Sequence, residues 1–324
     1  VKKAILQRLT LVDWRSLPAE RVASLYAAEI DRWVSTLEWD SASDWDEVEQ
    51  GRRLGTVSGV AVINDQGAIA GWSYYLVHGT TLQVGGFVAE TDAAAELMLD
   101  AILADDVVEA VAGITFFVYD RAPGLGPALR RRGLTVDRYW YFCKPTRTAP
   151  SALAGSRRWR PEDAPATARL LASAYGAADE SRPFAPRGAI DEWRDYVDQL
   201  TNATGCGALV PDASFCIPGG PNRLIGVVLV TRIAATTGHV AQLAIDPRSQ
   251  GRRLGAELLD VACSAAAAAG CRRVTLFVSG RNSRARRLYE SARFEPMASF
   301  LAAGTLHPRR STSVAPCGVI ITRR

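Results

Sequence analysis

The residues with the clearest chemical content lie together in the second half of the chain. An apolar run, Val240 to Ile245, ends at Asp246-Pro247-Arg248-Ser249, and the hexapeptide Gln250-Gly251-Arg252-Arg253-Leu254-Gly255 then opens a long alanine-rich stretch. This reads as a strand, a loop and a helix N-terminus. The first turn of a helix has backbone N–H groups without intrahelical partners and the positive end of the helix dipole. A loop that delivers a diphosphate there binds it without needing a lysine. Gly251 and Gly255 let the main chain approach such a group, and Arg252 and Arg253 add positive charge beside it. The chemistry implied is the holding of a pyrophosphate-bearing cofactor.

The same six letters recur at 50–55, and context separates the two copies. The first copy closes a polar helical stretch and leads into a strand, with no strand before it to aim its amides at a ligand. It is expected to be a helix C-cap.

The elements that position the second copy follow from periodicity and turn signals. The first half reads as a strand (5–12), two helices (19–36 and 43–52), a three-stranded meander (59–64, 69–78, 82–89), a helix (93–103), a strand (113–119), a short helix (125–132) and a closing strand (136–144). Residues 145–156, rich in Pro, Ser, Thr, Ala and Gly, read as a linker. The order then begins again: a strand (157–160), helices (164–175, 190–200), strands (207–216, 223–233, 239–245), a helix (255–269), a strand (273–278), a helix (283–292) and final strands. Ile114 to Val118 aligns with Val274 to Val278, and the same register, held without a gap, carries Arg121 onto Arg281 and Leu134 onto Phe294. The chain reads as a duplication.

Taken with this context, the second half resembles the GNAT superfamily of N-acyltransferases. Its pyrophosphate loop, Q/R-x-x-G-x-G/A, starts at Gln250 and ends at Gly255, with Arg253 in place of the middle glycine. A second signature, N-x-x-A-x-x-L-Y-x-x-x-G-F, matches Asn282, Ala285, Leu288, Tyr289 and Phe294, with Arg293 where glycine is usual. The resemblance covers most of the second half; the first half shares only the order of elements.

The resemblance implies an α/β (α+β) fold of two tandem GNAT-like domains, each a mixed, mostly antiparallel central sheet flanked by helices. The expected division is 1–146, a linker at 147–156, and a catalytic domain at 157–324. It implies transfer of an acetyl group from acetyl-CoA, as co-substrate, to a primary amine of a small molecule or peptide by direct attack. Tyr289 matches the usual general acid beside the departing sulfur. The backbone of Leu243, Ala244 and Ile245 matches the pantetheine site, and Gln250, Gly251, Arg252, Arg253, Leu254, Gly255 and Ala256 match the pyrophosphate site, with Asn282 and Arg286 beside it. His239 starts its strand where some members carry a catalytic Glu or His; a water chain, Asp179 or Glu180 are the competing bases. Asp179 and Glu180 are expected near the acceptor. A non-catalytic acyl-CoA sensor is the alternative reading.

In the first half the equivalent loop reads Glu90-Thr91-Asp92-Ala93-Ala94-Ala95-Glu96, whose carboxylates would repel a pyrophosphate. Leu129 and Ala122 stand opposite Tyr289 and Asn282. The first half is therefore expected to be degenerate, packing on the second and helping to shape its acceptor pocket, with Trp72, Tyr74, Tyr75, Tyr139, Trp140 and Tyr141 in core or interdomain roles.

Composition sets the remaining expectations. The 324 residues carry a net charge of +4, and of 38 basic residues only Lys2, Lys3 and Lys144 are lysines. The arginines are scattered, so the basic stripe of a nucleic-acid binder is missing. The six cysteines form no C-x-x-C and have no histidine pair nearby, which points to no metal and to free thiols in a reducing cytoplasm. No uncharged apolar run is long enough to span a bilayer.

Overall fold

A computed structural model describes residues 8–122, 124–148, 153–176, 183–202 and 206–306. The first half runs β1 (Thr10–Asp13), α1 (Ala19–Leu37), α2 (Ala42–Leu54), β2 (Ser58–Ile63), β3 (Ile69–His78), β4 (Thr81–Ala89), α3 (Asp92–Leu103), the single turn α4 (Val107–Ala110), β5 (Gly113–Tyr119), α5 (Leu125–Arg131) and β6 (Thr135–Pro145). The second half runs β7 (Arg157–Arg158), α6 (Ala164–Tyr175), α7 (Ile190–Asn202), β8 (Ala208–Leu209), β9 (Phe215–Gly220), β10 (Arg223–Ala234), β11 (Thr237–Ile245), α8 (Leu254–Ala268), β12 (Arg273–Ser279), α9 (Ser283–Ser291) and β13 (Glu295–Leu306).

Some expected strands differ: of 157–160 only Arg157 and Arg158 pair, against β9. The run 207–216 is broken, because Pro211 has no N–H to donate and opens a 3-10 turn, Pro211–Ala213. Only Ala208 and Leu209 pair with β10 before β9 begins at Phe215. The duplication is visible in the backbone. In the register that sets Ile114 on Val274, β5 and β12 coincide at both ends, Gly113 on Arg273 and Tyr119 on Ser279, and β6 and β13 start at the equivalent residues Thr135 and Glu295. Gly133 and Arg293, also equivalent, both have left-handed backbone, with φ of 81° and 67°.

The described strands form one thirteen-stranded sheet in the order β1-β2-β3-β4-β5-β13-β6-β12-β11-β10-β9-β7, with β8 against β10. Pairing is antiparallel except for β4 with β5 and β11 with β12. The two halves exchange their last strands. β13 pairs with β5 of the first half, from Phe300↔Tyr119 to Leu306↔Gly113, and β6 pairs with β12 of the second, from Arg273↔Pro145 to Ser279↔Tyr139. The exchanged strands then pair with each other at the centre.

Apolar side chains on both faces explain the helical layers. Leu258, Leu259 and Ala262 of α8 join Val228, Val230 and Leu276 in one core, and Leu171, Trp193 and Val197 of α6 and α7 join Val227, Leu229 and Ala244 in another. The first half is layered likewise, with Met98, Leu99 and Leu129 on one face and Tyr26, Trp45 and Trp72 on the other. At the junction, Leu37, Trp39, Tyr139, Tyr141, Ile233 and Phe300 form a shared cluster. It is tied by Asp40 N–H donating to the Ile233 carbonyl at 2.8 Å and by the Arg273–Glu38 ion pair at 2.8 Å. Among the described residues, no helix is long and apolar enough to cross a membrane.

Candidate active site

The site begins where two parallel strands part. β11 pairs with β12 only from Thr237↔Arg273 to Val240↔Leu276, and β11 then continues to Ile245 without that neighbour. Two tyrosines from the overlying helices reach the carbonyls freed along this edge. Tyr175 Oη donates to the Leu243 carbonyl at 3.0 Å, and Tyr196 Oη to the Ala241 carbonyl at 3.4 Å. Ala241 is the extra residue of a bulge, since Gln242 pairs with Leu229 and Val240 with Val230, and the two hydroxyls lie on the stretch of β11 that has left β12. Neither tyrosine stands out in the sequence, where each is one more aromatic on an amphipathic helix.

The edge opens into a cleft of ≈ 720 Å³ lined by Leu243, Ala244 and Ile245, by the loop from Ser249 to the first turn of α8, and by α9. Gly251 has φ of 83° and Arg253 has φ of 64°. The arginine standing where glycine is usual thus keeps glycine's left-handed backbone, a conformation disfavoured for a residue with a Cβ. Arg293 repeats this at the second substituted glycine. A Cβ on Gly255 would meet only Ile245 and Leu288, both at 3.6 Å, so packing within the protein does not require glycine there. The bare backbone at Gly255 leaves room for a ligand.

The loop residues divide by what they touch. Gln250 Nε2 donates to the Ile245 carbonyl at 3.1 Å, and its Oε1 accepts from Arg284, so Gln250 ties the end of β11 to the start of α9. Arg253, Leu254, Gly255 and Ala256 line the cleft, whereas Arg252 lies outside the lining and is exposed. On α9, Asn282 lines the cleft and caps the helix by accepting from Ala285 N–H at 3.0 Å. Arg286 instead turns to Glu290 at 3.4 Å, and the arginines facing the cleft are Arg284 and Arg287. Spacing did not point to these two, since Arg286 stands three residues before Tyr289 and four after Asn282 and so shares their side of a helix.

Tyr289 lies on the cleft wall, 7% exposed, and packs edge-on against Phe294 at 6.0 Å. Burial, and to a lesser degree nearby Tyr175, push its phenol well above the ordinary tyrosine range. The phenol is fully protonated near neutrality, the state a proton donor needs.

His239 sits at the root of the splay, 2% exposed, with Nδ1 2.9 Å from Thr275 Oγ1. Trp39 of the first half, Tyr141 and Phe277 surround the ring, with centroids 5.2, 6.1 and 5.3 Å away. Burial in this aromatic setting lowers its pKa to about 3, so the imidazole is neutral and a weak base. Asp179 and Glu180 lie outside the described residues. Among the described residues, no group of His, Cys, Asp and Glu could hold a metal ion.

The first half has the same splay without the loop. β4 pairs with β5 only from Thr81↔Gly113 to Val84↔Phe116. The N-terminus of α3 is capped by Thr91 Oγ1, which accepts from Ala94 N–H at 3.2 Å. Glu96 is held by Arg131 and by Arg132, the latter at 2.5 Å. Leu129, opposite Tyr289, is fully buried in the core. Gly55 ends α2 with φ of 75° and its N–H returned to the Gly51 and Arg52 carbonyls, so the first QGRRLG is a helix C-cap.

A sheet splayed beside a glycine-bearing loop and a helix N-terminus is the architecture of GNAT acetyltransferases, and the family model "Acetyltransferase (GNAT) family" matches residues 171–294. The match lies within the second half of the chain. In sequence it is similar to a mycothiol acetyltransferase of Beutenbergia cavernae, 48% identical over 64 residues, which make up 20% of this chain and 22% of that relative. Two solved structures share the fold. A GCN5-related N-acetyltransferase from Sphaerobacter thermophilus has a TM-score of 0.54 and 17% identity, covering 76% of this chain and 80% of its own. A tandem GNAT protein from the clavulanic acid biosynthesis pathway has a TM-score of 0.51 and 13% identity, covering 93% of this chain and all of its own.

Proposed function

We propose that this protein transfers an acetyl group from acetyl-CoA to a primary amine of a small molecule or peptide. The observation that carries the reading is the meeting, in one cleft, of the open edge of β11, the loop before α8 and the protonated phenol of Tyr289. The residues present suit coenzyme A. The first-turn amides of α8 and the side chains of Arg253, Arg284 and Arg287 would receive the diphosphate. The edge from Ala241 to Ile245 would receive the two amides of the pantetheine arm as an added strand, with Tyr175 and Tyr196 giving up the Leu243 and Ala241 carbonyls.

In this reading the neutral amine attacks the thioester carbonyl carbon, and the C–S bond breaks with its electron pair going to sulfur. Tyr289 Oη gives its proton to the leaving thiolate. The proton lost by the amine leaves through water. His239 is proposed to take part only as a neutral acceptor by way of such a water, since burial makes its imidazolium costly. Asp179 and Glu180 are proposed to attract the acceptor as its ammonium before attack. The tandem layout with one catalytic half resembles that of mycothiol synthase, which acetylates a cysteinyl amine, so a cysteinyl amine is the first acceptor to assay.

The test is thiol release from acetyl-CoA across a panel of amines, comparing the wild-type protein with Tyr289→Phe. Turnover with at least one amine, lost in the variant while coenzyme A still binds, supports the reading. Tight coenzyme A binding with no turnover on any amine replaces it with an acyl-CoA sensor.

A further inference from the structure

The first half retains the splay of its parallel strands, and what fills it differs from the second half. Beyond the paired stretch of β4 lie Gly85 and Gly86, with the Tyr74 ring laid against them: a Cβ would meet that ring at 2.5 and 2.6 Å. Between this notch and the helices α1 and α2 is a cavity of ≈ 60 Å³ with walls that include Trp33, Trp45, Trp72 and Tyr74. Three of these rings pack on one another, Trp45 lying 5.5 Å from Trp72 and 5.6 Å from Tyr74. Aromatic side chains make up much of the wall of this space, and Glu29, Ser41, Asp44 and Arg121 are its charged and hydroxyl-bearing neighbours.

Those polar groups do not balance. Glu29, 6% exposed, holds Arg121 Nη2 at 2.5 Å and has Arg32 Nε at 3.8 Å, while Arg121 Nε is buried without a partner. Asp44 is left over. Its Oδ1 is buried without a hydrogen-bond partner, and among the described residues no ion pair reaches it. Burial, with Glu47 and Asp40 adding repulsion, raises its pKa to about 7. A carboxylate oxygen held out of water without a partner is costly, and the fold tolerates this one, on a half-buried aspartate, in the wall of an aromatic-lined cavity.

We propose that this cavity is a binding site for a small primary or N-methylated ammonium group, held between the Asp44 carboxylate and the rings of Trp45, Trp72 and Tyr74. An ammonium meets both halves of the site: its N–H bonds to the orphan oxygen and its charge lies against the electron-rich ring faces. A hard metal ion would need several oxygen ligands, which aromatic walls do not offer. Taking a water's share of liquid volume as about 30 Å³, the space suits methylammonium or the aminomethyl end of a larger amine. The site is separate from the acyl-transfer cleft, and its existence does not depend on that activity.

The experiment titrates the full chain with methylammonium chloride and, at matched ionic strength, with potassium chloride, reading tryptophan fluorescence and the thermal midpoint. The acceptor pocket of the second half could also admit an amine, so Asp44→Asn, a near-isosteric change, locates the response, with circular dichroism confirming its fold. Trp72→Phe is the second variant. The expected result is a saturable response to methylammonium alone, weakened at least tenfold in Asp44→Asn and severalfold in Trp72→Phe. An equal response to potassium, an unsaturable response, or an unchanged affinity in Asp44→Asn overturns the proposal.

Discussion

Removing residues 1–156 should not leave a folded, monomeric second half, because the strand that belongs between β12 and β13 goes with them. β6 supplies seven register pairs to β12 and nine to β13. Three of its side chains, Tyr139, Tyr141 and Phe142, are no more than 4% exposed. At about 1.5 to 3 kcal/mol for burying each large apolar side chain, their loss comes to roughly 5 to 9 kcal/mol. That is the size of a whole domain's stability, about 5 to 15 kcal/mol. The assay compares fragments 157–324 and 133–324 with the full chain by circular dichroism, light scattering and urea unfolding. Fragment 157–324 should be insoluble, or dimeric through its own β13, which the duplication makes an approximate substitute for β6. Fragment 133–324, which carries β6, should recover soluble structure. A monomeric 157–324 that unfolds cooperatively, within about 1 to 2 kcal/mol of the same half in the full chain, would refute the reasoning.

Further outcomes follow from single residues. Tyr289→Phe should lower kcat by about 100-fold or more, the usual range for a lost general acid, while coenzyme A affinity measured by calorimetry stays within a few-fold. Tyr175→Phe removes a hydroxyl that competes for the Leu243 carbonyl; coenzyme A should bind about 2- to 10-fold more tightly, from a hydrogen bond worth about 0.5 to 1.5 kcal/mol, and weaker binding would mean the hydroxyl touches the ligand. Arg293→Gly relieves left-handed backbone at an exposed site and should leave stability equal or raised by up to about 1 kcal/mol without changing activity, whereas Arg253→Gly should also weaken coenzyme A binding, each read by urea unfolding and calorimetry. His239 has a folded pKa of about 3, below its unfolded value. The unfolded chain therefore takes up the proton first: stability is complete above about pH 6.5 and falls below it by about 1.4 kcal/mol per pH unit, roughly 2 kcal/mol at pH 5. His239→Gln should flatten that part of the stability profile.

The local features of the site were legible because local sequence dictates them. A strand, a turn and an alanine-rich helix follow from periodicity and from glycine and proline positions, and these alone set the place of the loop from Gln250 to Gly255. The same logic dismissed its copy at 50–55, since a helix that precedes the glycine ends there. The register that sets Ile114 on Val274 was readable for the same reason, and Arg253 and Arg293 show that the family's glycines mark a backbone conformation that another residue can be made to adopt.

What the sequence could not decide were the encounters between residues far apart in the chain. Arg286 against Arg284 and Arg287 turned on the rotation of α9, which the facing strands fix. The setting of His239 turned on Trp39, from the far end of the other half, whose ring lies 5.2 Å away and helps to bury the imidazole in its neutral form. Tyr175 and Tyr196 gained meaning only when the parting of β11 from β12 freed two carbonyls beneath them. The strand exchange is the clearest case. β6 and β13 are alternating strands of similar pattern, and either could complete either half. Periodicity sets which face of a strand is buried, but its edge hydrogen bonds are the same backbone groups whatever the sequence, so the choice of partner falls to the packing of the whole molecule.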